Sequence, residues 1–509
     1  MIQAILLGIL SGLLSLLYYW AKQKQNYWKD RNIPHIKSPL LLGHFFKTVI
    51  LKQHNIDALT HLYDHPNAKG KPFVGINVFH KPAILVREPE LVRRILIKDF
   101  QYFSNRHLGA DPDHDPISGL NLFQTKYTQW KDLRIKMSPI FTSGKMKQMF
   151  YMVENVGKEL SESVAKLVKA GNPVAEIRTL FARYTIDSIS IVAFGTDSGC
   201  LRDPNSSEFL KEARNAFQVR YVDKVAGHLL FFLSSSLKMF NLKAFNPSFE
   251  KFLRRLFDEV MTNRMKSGGN RNDLIDALIA LKKAEIGKEK VVFSHEVLVA
   301  QAALFFFAGF ETSSSTMEFV CYLIAKHPEV QAKMRKEIRE ALKKHGKMTY
   351  ELIANDLPYM GAAIKETLRL YPILPFLDRV CLVPRSDEGY SLEPFSSFKV
   401  PSGMPVYVPI YNIQRDPEYF PEPEKFIPER FCSENGKSND CYAPFGVGPR
   451  SCIGERFALM QMKVALVSLL SSFRMEFTAD TPKTLELETD TVLLHSDKGV
   501  LLKFVADSD

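Results

Sequence analysis

"FGVGPRSCIG", residues 445–454, is the stretch whose reading decides the fold. Gly446 and Gly448 open backbone angles that other residues avoid. Pro449 fixes its own φ and removes a donor. Directly after Cys452 comes "IGERFALMQMKVALVSLL", whose apolar residues recur at helical spacing. A single cysteine therefore sits in a glycine-rich bend at or just before a helix start. Free N–H groups and the positive dipole end stabilise an anion there. The expectation is a thiol drawn below its ordinary pKa and held as a thiolate.

Bulk properties narrow what such a thiolate could serve. With 509 residues and 46% hydrophobic side chains the chain can bury a large core. Length alone suggests about three domains. No Pro/Gly/Ser-rich linker or long charge run divides it, which favours one large unit. Phe is abundant (37) against Trp (3), as an apolar interior with an apolar pocket would require. The net charge of +11 fits solvated lysines, an anionic membrane surface or an acidic protein partner. Zinc-finger spacing and a compact Arg-rich tract are both missing, so nucleic acid is not an expected partner. The six cysteines at 200, 321, 381, 432, 441 and 452 form no C-x-x-C. A reducing, cytosol-facing environment is the simpler setting.

The first residues, "MIQAILLGILSGLLSLLYYW", make an apolar run of about twenty, enough to span a bilayer. Tyr18, Tyr19 and Trp20 suit the headgroup level, and Lys22, Lys24, Lys29 and Arg31 follow on what should be the cytosolic side. A basic n-region and a small-residue cleavage site are missing, so an uncleaved anchor is expected rather than a signal peptide. Residues 1–21 are assigned to the anchor, 22–44 to a basic, proline-containing elbow, and 45–509 to the globular domain. Asn205-Ser206-Ser207 matches a glycosylation pattern that a cytosolic domain leaves unused.

Along the body, "KPFVGINVFHKPAILVRE" reads as a hairpin and "EPELVRRILIKDF" as a helix with Pro89 near its first turn. Residues 104–124 read as a loop, and "FKVPSGMPVYVPIYNI" as short strands. Most of 145–345 has helical periodicity. "HPEVQAKMRKEIREALKKHG" is the clearest case, from Pro328 at its start to Gly346 just past its end. The fold class is therefore mainly α, with a small β part from both ends of the chain. No phosphate-loop or dinucleotide fingerprint stands out.

Three further groups carry chemistry. Glu366 and Arg369 in "KETLR" share a helix face. Alone they would be a surface pair, but Arg430 in "FIPERF" offers a third member for a buried clamp. "VLVAQAALFFFAGFETSSSTMEFVCYLIA" is apolar nearly all round and should be a central helix, mostly plain core. Within it Gly309 weakens the helix, and Glu311 and Thr312 bring polar groups into an apolar setting. Together they suggest a local opening for a small ligand and a water. Trp130 and Arg134 in "WKDLR" share a face and could donate to a carboxylate.

In this order "WKDLR", "AGFET", "KETLR", "PERF" and "FGVGPRSCIG" resemble the haem-thiolate monooxygenases, the cytochromes P-450, over essentially the whole chain. "FFFAGFETSSSTMEFV" and the anchor are most similar to the insect microsomal, xenobiotic-oxidising, family-6-type branch. The resemblance implies a single prism-shaped haem domain behind the anchor. It makes Cys452 the thiolate ligand of haem iron, with Phe445 near the sulfur, Gly446 in the bend and Gly454 close to the porphyrin. Trp130, Arg134, Arg379 and Arg450 would meet the propionates. Ala308 and Gly309 would leave room for dioxygen, to which Thr312, with Glu311, would relay protons. Glu366, Arg369 and Arg430 would form the clamp. Phe305, Phe306, Phe307, Leu374 and Phe376 would line the substrate pocket, with residues 104–124, 205–245 and 492–500 nearby.

The implied cofactors are haem b, dioxygen and, indirectly, NADPH. Electrons would come from NADPH–cytochrome P-450 reductase, with cytochrome b5 as a second candidate donor. The implied setting is the endoplasmic reticulum membrane with the catalytic domain in the cytosol. Substrates would be lipophilic: plant toxins and insecticides, or endogenous lipids and hormones. The competing functions are a haem-thiolate isomerase or dehydratase, and a non-catalytic haem sensor. The retained Glu311–Thr312 pair speaks against both.

Overall fold

The site is framed by helices of two kinds, some apolar along one face and some apolar nearly all round. The computed structural model describes residues 1–217, 220–268, 271, 273–284, 292–384, 386–432 and 441–507. Its framing helices are α1 Ile2–Asn26, α2 Tyr127–Met137, α3 Ser143–Lys169, α4 Ile177–Ile189, α5 His295–Lys326, α6 Pro328–His345, α7 Pro358–Leu370 and α8 Glu455–Leu470. α5 is buried along most of its length, as a helix apolar on every side must be. Its N-cap Ser294 accepts from the Val297 amide. α6 starts at Pro328 and stops at Gly346, whose φ of 72° is the left-handed turn that ends helices.

The strands are β1 Phe73–Val78, β2 Lys81–Val86, β3 Val174–Glu176, β4 Leu377–Val380, β5 Tyr390–Ser391, β6 Lys399–Val400, β7 Pro405–Val408, β8 Phe473–Phe477 and β9 Leu501–Ala506. They form sheets in the orders β1-β2-β7-β4, β3-β9-β8 and β5-β6. β2 pairs parallel to β7, and β4 antiparallel to it. Strand β4 thereby carries Asp378 and Arg379 into the interior. The expected strand run breaks after β7, where Ile410–Ile413 forms a short helix. Pro409 there has no N–H to give a ladder. The 104–124 loop holds one helical turn, Pro116–Gly119, capped by the Asp115 side chain.

α1 is long and apolar enough to cross a membrane, and its most apolar window is unburied by the rest of the chain. α5 passes the same length and composition test but is packed inside the protein. Residues 22–44 are less free than an elbow. Trp28 is fully buried, and its indole N–H donates to the Ile76 carbonyl at 2.8 Å. The ring lies where a Cβ on Gly75 would stand, 2.5 Å away. The Ile36 amide bonds to the Gly75 carbonyl, and the Gly75 amide to Pro34. The buried Trp and these backbone bonds together tie the segment to β1.

Candidate active site

The 445–454 loop is folded by its own backbone. The Cys452 amide donates to the Phe445 carbonyl at 2.8 Å, Ser451 to Gly448 at 3.0 Å, and Gly446 to Ala443 at 2.9 Å. Gly448 has φ 75°, and a Cβ there would lie 2.2 Å from the Leu96 carbonyl oxygen, so only glycine fits. Gly446 needs its φ of 70° but has space around it. Arg134 of α2 donates to the Ser451 carbonyl at 2.8 Å, which pins the loop from the opposite side. Arg134 thus holds a peptide oxygen in addition to lining the cavity.

Cys452 lies deep in the protein yet opens onto an internal cavity. Its thiol pKa is raised rather than lowered, which corrects the expectation from the helix start. Burial is the largest cause, and the Gly454 and Glu455 amides with the Arg134 charge pull the other way without offsetting it. α8 begins three residues later, at Glu455, so only two of its free amides reach the sulfur. A cation at the sulfur would be needed to complete the stabilisation, since a coordinated thiol is deprotonated outright.

The cavity has a volume of about 280 Å³. Phe305, Ala308, Gly309 and Thr312 of α5 line it with Ile373, Leu374, Leu377, Phe445, Cys452 and Gly454. Phe305 stacks on Phe141 at 5.8 Å between ring centres. Phe306 and Phe307 do not line it, contrary to expectation. Consecutive helix positions diverge by ~100° and three in a row cannot share one face. Phe306 is buried against Phe209, Phe249 and Phe252, and Phe307 meets Phe245 edge-on. Phe376 is likewise absent from the lining. It alternates to the other side of the strand from Leu377 and packs on Phe231, Phe232 and Tyr407. Among the described residues, 205–245 and 492–500 contribute nothing to the lining, and 218–219 lie outside the description.

The expected opening in α5 is not a break, because α-helix runs unbroken from His295 to Lys326. Gly309 is required instead by helix packing: a Cβ there would stand 2.7 Å from Ile189 Cδ1 at the end of α4. The Thr312 hydroxyl donates to the Ala308 carbonyl at 2.8 Å, leaving its oxygen lone pairs toward the cavity that Thr312 lines. Gln461 of α8, unremarked in the sequence, ties this region down. Its amide donates to the Gly309 carbonyl at 3.1 Å and to Ser313 Oγ at 2.5 Å.

Glu311 faces away from the cavity. It is buried, 3.0 Å from an Arg178 Nη2 and 2.7 Å from His495 Nε2. Burial alone would raise its pKa, but His495 and then Arg178 more than reverse this and bring it to about 2. The sequence did not flag Arg178 or His495, since neither lies near Glu311 in the chain.

At the cavity's polar end Arg106, Arg379 and Arg450 are all buried, and Asp378 is the carboxylate among them. Arg106 Nη1 is 3.2 Å from Asp378 Oδ1, and the amides of His107 and Leu108 also donate to Asp378. Arg379 donates to the Asp378 carbonyl at 2.7 Å. Burial, then Arg106 and Arg379, push Arg450 down to about 8, while burial and Arg106 push Arg379 down to about 9. An arginine does not release its proton inside a protein. The shifts reflect guanidinium groups that are desolvated first and crowded by one another second, with one carboxylate among them. Arg379 Nε and Arg106 Nε are buried without a hydrogen-bond partner. Arg450 sits 4.6 Å over the Trp130 ring and spends donors on the Ser104 and Thr125 carbonyls.

Behind the loop, Glu366 and Arg369 of α7 are fully buried and joined by two bonds of 2.7 and 2.9 Å. Glu366 Oε1 also accepts from Arg430 Nε at 3.3 Å and from the Ile427 amide at 3.0 Å. Arg369 reaches the Gln414 and Lys425 carbonyls, and Gln414 accepts from the Ala443 amide. The clamp thus braces the chain that enters the cysteine loop.

A model of the cytochrome P-450 family matches residues 39–504. The chain belongs to the cytochromes P-450. The probable cytochrome P-450 6g2 of Drosophila melanogaster is 40% identical over 519 residues, covering 99% of each chain. The probable cytochrome P-450 6w1 of the same fly is 36% identical over 504 residues, covering 98% of this chain and 97% of the relative. Cytochrome P-450 6k1 of Blattella germanica is 36% identical over 519 residues, covering 98% and 96%. Membership in this P-450 family implies haem-thiolate monooxygenase chemistry with haem and dioxygen.

The residues present fit haem. Three buried guanidinium groups against one carboxylate suit a ligand that brings two carboxylates of its own. Gly454, with φ −96°, has no backbone need for glycine, and a Cβ there would meet only Phe141 at 4.0 Å. That Cβ would instead occupy cavity space beside Cys452.

Proposed function

We propose that this P-450 oxidises lipophilic substrates, foreign compounds such as plant toxins and insecticides among them, with NADPH electrons delivered by a separate membrane-bound reductase. The observation that carries the reading is the placement of Cys452 and Thr312 on one largely apolar cavity with a surplus of buried arginine at its polar end. Bound there, haem would supply oxygen activation, with thiolate ligation favouring O–O cleavage.

The chain's own residues do the rest. Arg106, Arg379 and Arg450 would hold the propionates through charge-assisted bonds. Phe141, Phe305, Leu374 and Leu377 exclude water and select apolar ligands. Thr312 Oγ1, steadied by the Ala308 carbonyl, would accept a proton and pass one on. α1 would anchor the enzyme in the endoplasmic reticulum with the haem domain in the cytosol.

The test is reductase- and NADPH-dependent transfer of one labelled oxygen atom from dioxygen to a lipophilic compound. A reduced-CO thiolate spectrum without such transfer from a broad panel would remove the oxygenase reading. Thr312→Val keeps the shape but loses the hydroxyl. Product per NADPH should fall about a hundredfold, the low end of acid–base effects, with peroxide taking its place. Unchanged coupling would exclude Thr312 from proton transfer. Removing residues 1–20, before the buried Ala21, should release the protein from membrane pellets while haem content stays at the wild-type level. Loss of haem would instead show that the segment supports the fold.

A further inference from the structure

The positive charge of the chain is spread unevenly. Residues 1–81 hold ten lysines and arginines against three acids, a surplus of +7 within the net +11. The first twenty residues carry no charged side chain, so the whole surplus follows the apolar run. Folding gathers much of it round the end of α1. Trp20 lies 5.5 Å from the ring of His80, on the turn between β1 and β2. Asn77 donates to the Lys24 carbonyl at 3.4 Å, and Gln25 to the Ser38 carbonyl at 2.6 Å. Gly43 bridges to Val78, and the His44 amide donates to the Asn77 carbonyl at 2.9 Å. Residues 38–44 and the β1–β2 turn therefore border the same end of α1.

Six lysines ring this place. Lys22 and Lys24 leave from α1 itself, Lys37 and Lys47 from the two flanks of 38–44, and Lys81 from the β1–β2 turn. The Lys52 amide folds back onto the Lys47 carbonyl at 2.9 Å. Lys37, Lys47 and Lys52 are exposed, and the other three are half-buried. Among the described residues none of the six forms an ion pair with a carboxylate. Lysines elsewhere do so, as in Lys147 with Glu351, Lys333 with Glu429 and Lys399 with Glu388. Burial, then Lys81 and Lys24, lower the His80 pKa, which sets both ammonium groups beside that ring. Like charges gathered without acids repel one another, and an anion from outside relieves the repulsion.

We propose that this lysine ring binds the anionic phospholipid headgroups of the bilayer that α1 enters. This rests on the anchoring role given to α1 above. Lys24 stands four residues beyond Trp20, about 6 Å along the helix. That is inside the Debye length of about 8 Å at physiological ionic strength, over which attraction to an anionic leaflet decays. Lysine stems can lie along apolar surface while their ammonium groups reach phosphates. Leu42, beside Gly43, is 40% exposed and gives the ring an apolar member. Buried Trp28 ties the segment after α1 to β1, so the ring cannot swing away from the membrane. The domain then sits with its β1–β2 turn toward the headgroups. An acidic protein is the competing partner for such charge, but α1 brings the bilayer to this face and keeps it there.

The experiment uses the full-length holoenzyme in phosphatidylcholine bilayers holding a trace of phosphatidylserine or phosphatidylcholine spin-labelled on the acyl chain. Electron spin resonance reads the motionally restricted share of each label. Wild type should restrict the serine lipid several-fold more than the choline lipid. The preference should shrink in 1 M salt, where the Debye length falls to about 3 Å. Lys24→Gln, Lys47→Gln, Lys52→Gln and Lys81→Gln together should abolish it with haem content and the reduced-CO spectrum intact, whereas arginine at the same four positions should keep it. Glutamine in place of Lys166, Lys169, Lys336 and Lys343, exposed on α3 and α6, should leave it unchanged. A wild-type preference in the haem-replete fourfold glutamine variant overturns the proposal. So does a variant that loses affinity for an acidic redox partner yet keeps its lipid preference, which would assign the surface to a protein. Should the glutamine variant fail to fold, a wild-type preference that survives 1 M salt overturns it. Wild type that restricts neither lipid removes the anchoring role of α1, whereas wild type that restricts both equally removes only the part assigned to the lysines.

Discussion

Glu366→Gln should give a protein that unfolds at markedly lower denaturant and retains little haem. The glutamine has the same shape but no charge. Arg369, fully buried, and Arg430 would then face each other across an uncharged amide. Leaving a buried charge without its partner costs about 3–5 kcal/mol. Against a typical net stability of about 5–15 kcal/mol, that is a large share. The damage also has a direction. Arg369 holds the Gln414 and Lys425 carbonyls and Arg430 holds the Glu422 carbonyl, so a loosened Glu366 frees the segment that leads to Ala443 and the cysteine loop. Haem retention should therefore fall at denaturant concentrations where helical content is still native. Arg369→Lys should not rescue, because one ammonium cannot replace a planar fork that donates to two carboxylate oxygens and two carbonyls. Replacing Glu366 and Arg369 together by apolar residues should cost less than the two single changes added, since their effects are coupled. Equilibrium unfolding and haem absorbance along one titration decide it. A Glu366→Gln protein with wild-type midpoint and haem content would show that the clamp is ornamental.

The clamp also shows what could be read from the sequence and what could not. Glu366 and Arg369 are three apart on a helix, so their contact follows from helical geometry. Arg430 reaches them through a turn whose path no local spacing specifies. The cysteine loop was legible because its glycines answer to backbone constraints within ten residues: the positive φ at 446 and 448 needs nothing distant to explain it. Gly309 was visible, but its reason was not. Only the approach of α4 reveals that Ile189 occupies the space of the missing Cβ. The three consecutive phenylalanines were recognisable as apolar, yet helix rotation sends one to the cavity and two to the core. Arg106, Asp378 and His495 were missed because their partners are hundreds of residues away, and a lone polar residue in a loop carries no periodic signal. The raised thiol of Cys452 was missed for a related reason. The dipole argument is local, whereas desolvation depends on every element packed around the cavity.

Cys452→Ser should separate folding from chemistry more sharply than any other change. The bonds that shape the bend are made by backbone amides and by Arg134 to the Ser451 carbonyl; the sulfur itself only faces the Gly454 and Glu455 amides, as a serine oxygen also can. A hydroxyl of similar size facing the cavity should leave unfolding of the haem-free protein within about 0.5 kcal/mol of wild type. The ligand chemistry is different in kind. A serine hydroxyl stays protonated where a metal-bound thiol does not, so the electron-rich ligation that favours O–O cleavage is gone. The reduced-CO thiolate band and NADPH-driven oxidation should both vanish. No other cysteine can stand in. Of the six, only Cys452 lines the cavity; Cys432 reaches the Pro428 carbonyl and Cys381 the Val400 carbonyl, while Cys200 lies among Ser198 and Ser207. Paired measurement of haem-free stability and the reduced-CO spectrum reads both halves. A Cys452→Ser protein that keeps the thiolate band would move the ligand elsewhere, and one that fails to fold without haem would mean that the sulfur, and not the glycine-shaped backbone, holds the loop together.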